Sequence, residues 1–284
     1  MHEILHILEH TLLDTIKLLP FLFLTYLIME YIEHKTSEKV KSTIQKSGKF
    51  GPVLGALVGI FPQCGFSVSA TNLYAARVIT LGTLISVYLA TSDEMLPILL
   101  TEAVPITTIL TILGLKLVIG MTAGFLIDAI IRITKKEKKE EQKIEELCEH
   151  EHCHCEQGIL ISALKHSINI IMFIFIITLI INTIIELIGE ETIANFISQN
   201  VMLGPVIAGF IGLIPNCASS VILTELFIEN VISMPILISG VAVNAGVGLL
   251  VLFKTNKNIK ENLTIVGMLY IIGVISGMIL QVIL

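Results

Sequence analysis

The sequence predicts an all-α polytopic membrane protein of about ten transmembrane segments, arranged as two inverted five-helix repeats. Three observations predict it. The chain of 284 residues is 54% hydrophobic with a mean hydropathy of +0.87, well beyond an ordinary soluble domain. It also repeats itself. Pro62-Gln63-Cys64-Gly65-Phe66-Ser67-Val68 returns 153 residues later as Pro215-Asn216-Cys217-Ala218-Ser219-Ser220-Val221. The same offset lays Gly51-Pro52-Val53 on Gly204-Pro205-Val206, and Gly114, Gly120 and Gly124 on Gly267, Gly273 and Gly277. Between Gly51 and Leu81 roughly a third of the aligned pairs are identical, where chance gives about a tenth. Finally, lysines crowd into some loops and are absent from others.

The first repeat, residues 1–133, reads as segments at about 10–33, 50–62, 66–79, 81–100 and 104–133. The second, residues 159–284, reads as about 160–188, 203–215, 219–232, 234–253 and 262–284. Apolar stretches such as Val104–Ile131 and Ile168–Ile188 reach the roughly 20 residues that span a bilayer. The second and third segments of each repeat are too short for that. Each pair is separated by a Pro-x-Cys break and reads either as tilted short spans or as re-entrant hairpins. Gly120-x-x-x-Gly124 and Gly273-x-x-x-Gly277 allow close helix approach in the last span of each repeat. The first segment has no basic leader and no cleavage site, so it reads as an uncleaved span.

Charge sets the expected orientation. Lys35, Lys39, Lys41, Lys46 and Lys49 fill one loop. Lys135, Lys136, Lys138, Lys139 and Lys143 open the linker of residues 134–158, and Lys254, Lys257 and Lys260 precede the last segment. The loops around Asp93–Val104 and Gly189–Leu203 carry acids and no Lys or Arg. The positive-inside rule puts the lysine loops and the linker in the cytoplasm and both termini outside. An odd number of crossings per repeat then turns the second repeat upside down. The localisation expected is a multi-pass cell membrane protein.

A proline inside apolar flanks frees backbone carbonyls and aims a half-helix N-terminus at the break. Such backbone is tolerated in a bilayer only where it is buried in protein or lines a cavity. Around the two breaks stand Gln63, Cys64, Ser67, Thr71 and Asn72, and correspondingly Asn216, Cys217, Ser220, Thr224 and Glu225. Ser67 and Thr71 are four apart, as are Ser220 and Thr224, so each pair shares a helix face. The fourth segments contribute Asp93 and Asn244. Together these offer thiols, neutral oxygens and carboxylates as a cation-binding cage, since a carboxylate deep in lipid is functional by default. Lys116, mid-way along the fifth segment, is expected to be the counter-charge to Asp93 or Glu225 and to serve coupling. The competing reading makes the cysteines small buried apolar groups and the hydroxyls self-bonded to their own helices.

Two further clusters stand apart. Cys148, His150, His152, Cys153, His154 and Cys155 can ligate zinc, copper or nickel, but in no zinc-finger spacing. A flexible metal-collecting segment is expected. His2, His6, His10 and Asp14 stripe one helical face near the N-terminus, and Glu30 and His34 repeat that spacing.

The duplicated Pro-Gln-Cys-Gly-Phe-Ser and Pro-Asn-Cys-Ala-Ser-Ser motifs, joined by a His/Cys linker, resemble a ten-helix heavy-metal exporter family over essentially the whole chain. Its members are described as manganese transporters or arsenic efflux proteins. The resemblance implies export of a heavy-metal ion, with divalent manganese the first expectation and arsenical or metalloid efflux the alternative. A more distant similarity is to arsenical permeases whose breaks carry paired cysteines, where this chain has one cysteine per break. No Walker-type phosphate loop occurs, so a secondary, ATP-independent mechanism is expected. An intramembrane enzyme or metal sensor is the reading from another class, but no nucleophile–base pair has catalytic spacing. The partners expected are the lipid bilayer and the metal-ion substrate, with no nucleic acid and no resident cofactor; Mn2+ is the cargo expected and Zn2+ a ligand for the linker. The oligomeric state is not encoded in any of these features.

Because the linker cluster lies outside the predicted spans, deletion of residues 148–155 is expected to leave maximal transport nearly unchanged and to alter only the metal concentration giving half-maximal flux. A flux assay on the deletion at matched expression checks this, and complete loss would place the essential site in the linker.

Overall fold

The structure of the chain is a computed structural model that describes residues 50–134, 159–188 and 203–283, with scattered positions between 8 and 27. The linker cluster, His2, His6, His10, Asp14, Glu30 and His34 lie outside the described residues. The described residues form helices and no strands. The helices are α1 Gly51–Gly59, α2 Cys64–Ala75, α3 Leu81–Ala90, α4 Met95–Thr101 and α5 Ile106–Thr134. Then come α6 Ile159–Ile188, α7 Gly204–Gly212, α8 Ala218–Ile228, α9 Met234–Val243, α10 Gly248–Thr255 and α11 Ile259–Ile283. Five stretches are long and apolar enough to cross a membrane: Leu81–Thr101, Ile106–Thr134, Ala163–Ile184, Met234–Thr255 and Ile259–Ile283.

The helix limits obey the sequence repeat. The offset of 153 that relates Cys64 to Cys217 also carries the starts of α1, α3, α4 and α5 onto those of α7, α9, α10 and α11. Side-chain bonds repeat with it. Ser86 Oγ donates to Pro52 O at 2.5 Å, and Ser239 Oγ to Pro205 O at 2.7 Å. Arg77 and Asn230, each just past a helix, share left-handed φ values of 59° and 60°.

α1 and α2 are a hairpin. Gly51 lies against Thr83 and Gly59 against Val87 and Ala90, so α1 runs alongside α3 in the same direction. α2 then returns to within a short turn of the start of α3. The hairpin therefore begins and ends at one end of α3, and its tip meets the other, where Ser92 N donates to Gly59 O at 3.2 Å. α7 and α8 repeat this against α9, with Gly212 on Gly240 and Val243. The short segments of each repeat thus pack as a hairpin along the first helix of the fourth segment. Pro62 and Pro215 enforce the tips, because proline lacks an N–H and pushes its predecessor out of helical geometry.

The fourth segment of each repeat differs from the expectation. It is not one helix but two, broken at Thr91–Glu94 and at Asn244–Val247. Pro97 gives the physical reason in the first case, since its ring cannot follow a helical turn that includes Asp93. In the second, Gly246 adopts φ +54° and Asn244 Oδ1 accepts from Gly246 N at 2.7 Å, a local turn that competes with the helix.

The two repeats interlock. α2 packs on α10 and α8 on α4. Thr71 Oγ1 donates to Gly248 O at 3.2 Å, tying the body of α2 to the start of α10. Beyond their far ends Arg77 grips Glu261 through two bonds of 2.7 and 2.9 Å, with Tyr74 OH on the same carboxylate. The core mixes both repeats, as where Leu84 and Tyr88 meet Leu249 and Leu269. A third cluster seats Leu18, Leu22 and Tyr26 of the N-terminal helix against Ile170 and Ile174 of α6 and Val251 of α10. Asp128 of α5 fixes the start of α3, accepting from Gly82 N at 2.9 Å and Thr80 Oγ1 at 2.7 Å, where a negative charge suits the helix dipole.

The Gly-x-x-x-Gly pairs do pack. A Cβ on Gly124 would lie 2.6 Å from Gly82 O, and one on Gly277 2.9 Å from Pro235 O, whereas Gly114 and Gly267 face open space. Gly124→Ala and Gly277→Ala are therefore expected to destabilise by about 1–3 kcal/mol through overpacking. Gly114→Ala and Gly267→Ala should be neutral or stabilise by up to ~1 kcal/mol through helix propensity. Thermal unfolding in detergent checks the contrast.

Candidate metal centre at the helix breaks

The hairpin tips bring the two cysteines together. Cys64 opens α2 and Cys217 caps α8, and their Sγ atoms stand 3.2 Å apart. Asp93, in the break between α3 and α4, completes the cluster. One carboxylate oxygen and the two sulfurs all lie within 4.8 Å of one another. Cys217 and Asp93 are buried and Cys64 is partly so. Neither oxygen of Asp93 has a hydrogen-bond partner among the described residues. A buried acceptor left in that state is costly, which makes it the group most in need of a ligand.

Across from Asp93 stands its repeat equivalent, Gly246. A Cβ there would lie 2.5 Å from Asp93 Oδ2, so only glycine leaves the carboxylate room. The sequence expectation matched Asp93 loosely to Asn244. Asn244 is buried at the end of α9 with its Nδ2 unpartnered among the described residues. Gly246 was missed, although a Gly-Val-Gly tract within an apolar run signals a break.

The hydroxyls largely take the bland role. Ser67 and Ser220 donate to Cys64 O and Cys217 O, each at 2.8 Å, and Thr224 donates to Ser220 O at 2.6 Å. They brace the cysteine-bearing turns by bonding their own helices. Thr71 bonds Ser67 O at 2.7 Å and sits 2.5 Å from Tyr88 OH. Asn72 is buried, accepts from Tyr26 OH at 3.3 Å, and keeps its Nδ2 unpartnered among the described residues. Gln63 caps α2 with extended backbone and is partly buried. Asn216 donates through Nδ2 to Asn182 of α6, which itself donates to Thr11 Oγ1 at 2.9 Å. Asn182 is a polar anchor for the second tip that its Ile-rich surroundings hid.

Two expectations need correction. Glu225 is exposed on α8 and is no part of the cluster. Ser220 and Thr224 hold the inward face, and the next residue along a helix turns about 100° away from it. Lys116 is fully buried as expected, but its ammonium is held by no carboxylate. It donates to Thr91 O and, at 2.9 Å, to Val241 O. Both carbonyls belong to the ends of broken helices and lack an onward helical partner, so they take the direct bonds, and the Asp93 carboxylate attracts the ammonium without touching it.

Two thiols and one carboxylate converging in a buried break form a donor set for a thiophilic ion. No curated protein and no solved structure matches this chain. A family model described as "Putative, 10TM heavy-metal exporter" matches residues 6–190, and the chain belongs to that family.

Proposed function

We propose that the chain exports a thiophilic heavy-metal ion by a secondary, alternating-access mechanism, with Cys64, Cys217 and Asp93 as the liganding core. The observation that carries this reading is the 3.2 Å approach of two sulfurs from equivalent places in two repeats, beside a carboxylate without a partner. Zinc- or cadmium-like ions and trivalent metalloids suit that donor set. Asn72, Asn244, Gln63 and Asn216 shape its surroundings, and Thr71, Thr224, Ser67 and Ser220 hold its turns.

An inverted arrangement of the two repeats, which we infer, suits that mechanism. Ser67 and Thr71, within α2, lie at Gly248, which opens α10, and Arg77, past the end of α2, meets Glu261, past the end of α10, as expected of helices that run the same way. Because α2 runs against α3, the span α9–α10 runs against the span α3–α4. Arg77, Arg132, Lys254 and Lys257 then gather at the end where α3 begins, which the positive-inside rule makes cytoplasmic. The linker joins that end, where Cys148, His150, His152, Cys153, His154 and Cys155 would collect metal from the cytoplasm.

Manganese is the second reading. It prefers oxygen ligands, and the free oxygens of Asp93 favour it. Its support weakens with Glu225 exposed, because a single carboxylate is left in the cluster.

Efflux of Zn2+, Cd2+, Mn2+ and arsenite from everted vesicles separates these readings. Cys64→Ser and Cys217→Ser are expected to lower Zn2+ and Cd2+ flux at least as much as the roughly 10–100-fold lost with an outer-shell metal partner. Asp93→Asn should be similarly impaired and Glu225→Gln near normal. Mn2+ flux lost in Asp93→Asn but kept in both cysteine variants would transfer the assignment to manganese. Normal flux of every cargo in the Cys64, Cys217 and Asp93 variants would remove the site.

A further inference from the structure

A second cation-binding position lies beside the thiol pair, and the chain fills it itself. α3 and α9 are half-helices whose C-terminal ends point into the two breaks. The last carbonyls of a helix have no intrahelical acceptor role left to fill and carry the negative end of its dipole. In discontinuous membrane helices such ends, with unwound carbonyls, are where a coupling cation such as Na+ is held. Here one carbonyl from each repeat, Thr91 O and Val241 O, converges on a single point. The group at that point is the ammonium of Lys116, wholly buried and carried in on α5. Its repeat counterpart is Leu269, an apolar core residue, so the device exists once. The attraction between Lys116 and the carboxylate of Asp93 extends its influence to the thiol cluster.

We propose that this position is a monovalent-cation site permanently occupied by Lys116, and that the tethered ammonium replaces a free alkali coupling ion. The inference concerns how the site proposed above is coupled and rests on that reading for its flux arm. Transport should then be independent of Na+ and K+ in the unaltered chain. It should become dependent on a small free cation once the side chain is removed.

The test uses the full chain in proteoliposomes with Zn2+ as cargo, and in parallel detergent-solubilised protein for thermal unfolding. Unaltered chain should give equal flux and equal Tm in Na+, K+ and choline. Lys116→Met, close in shape but neutral, should lose roughly tenfold or more in flux, since a cation at two helix ends deep in protein is hard to replace. Lys116→Arg should retain measurable flux. Lys116→Ala vacates the position, and Na+ or ethylammonium, but not choline, should raise its Tm and restore part of its flux. The Tm arm needs no transport and reports even where flux is lost. Wild-type flux in Lys116→Met, Na+-dependent flux in the unaltered chain, or a Lys116→Ala variant whose Tm ignores every small cation would each overturn the proposal. Cys64→Ser distinguishes the underlying reading: if its Zn2+ flux is normal, the thiol site fails, while the cation response of Lys116→Ala still decides this one.

Discussion

A backbone carbonyl stranded inside an apolar bundle has no water to turn to, and leaving one unpaired costs several kcal/mol. Among the described residues the backbone breaks four times, at two hairpin tips and in two spans, and the rest of that structure is arranged around satisfying those breaks. Ser67 and Ser220 close the turns that carry the cysteines. Ser92 N reaches the end of α1, Asn182 holds the second tip, and Lys116 gathers the ends of α3 and α9. Glycine contributes by absence. With side chains at Gly59, Gly124 and Gly277 the neighbouring backbones could not approach closely enough for the breaks to lie against one another. The breaks are thus costly, and among the described residues the carboxylate of Asp93 and the Asn244 Nδ2 at the two span breaks are left without a partner.

Pseudo-symmetry decides which residues may be duplicated. Equivalent positions meet where the repeats touch, as Cys64 meets Cys217 and Asp93 meets Gly246. Two neutral thiols can share such a place. Two carboxylates cannot both stay ionised there, because like charges in a low-dielectric interior repel strongly. The charge is therefore single, and glycine opposite it supplies the room. Lys116 opposite Leu269 follows the same logic. A cation in one repeat answers helix ends drawn from both, and a second would bring repulsion.

Much of this was legible in the residues. The offset of 153, the Pro-x-Cys tips, the buried Lys116 and the packing of Gly120, Gly124, Gly273 and Gly277 all carry strong local signals. The breaks within the fourth segments were not read, because hydropathy averages over a window and Ala-Thr-Ser-Asp is too short to depress it. Pro97 and the pair Gly246 and Gly248 were the signals available. Glu225 was misplaced for a different reason. Alignment put it beside Asn72, which is buried, but which way a helix turns its faces depends on what covers it. Tyr26 reaches Asn72, and no sequence pattern within α8 reveals the corresponding surroundings of Glu225.

The loss of Glu225 from the cluster changes the chemistry more than the geometry. With two carboxylates the break would have been an oxygen cage open to any hard divalent ion, and manganese would have had to compete with far more abundant magnesium and calcium. With one carboxylate already drawn toward a tethered ammonium, charge alone holds a hard ion weakly, and selectivity must come from bonds that hard ions form poorly. Sulfur provides them. The proposed site of two thiols and one carboxylate would discriminate by softness, and it sits where two hairpin tips touch. Any cargo that bonds both sulfurs therefore also bonds both repeats. With the sulfurs 3.2 Å apart, closer than the roughly 3.7 Å between two sulfurs on one tetrahedral metal, binding would spread the tips slightly, so recognition and movement would act through the same two atoms.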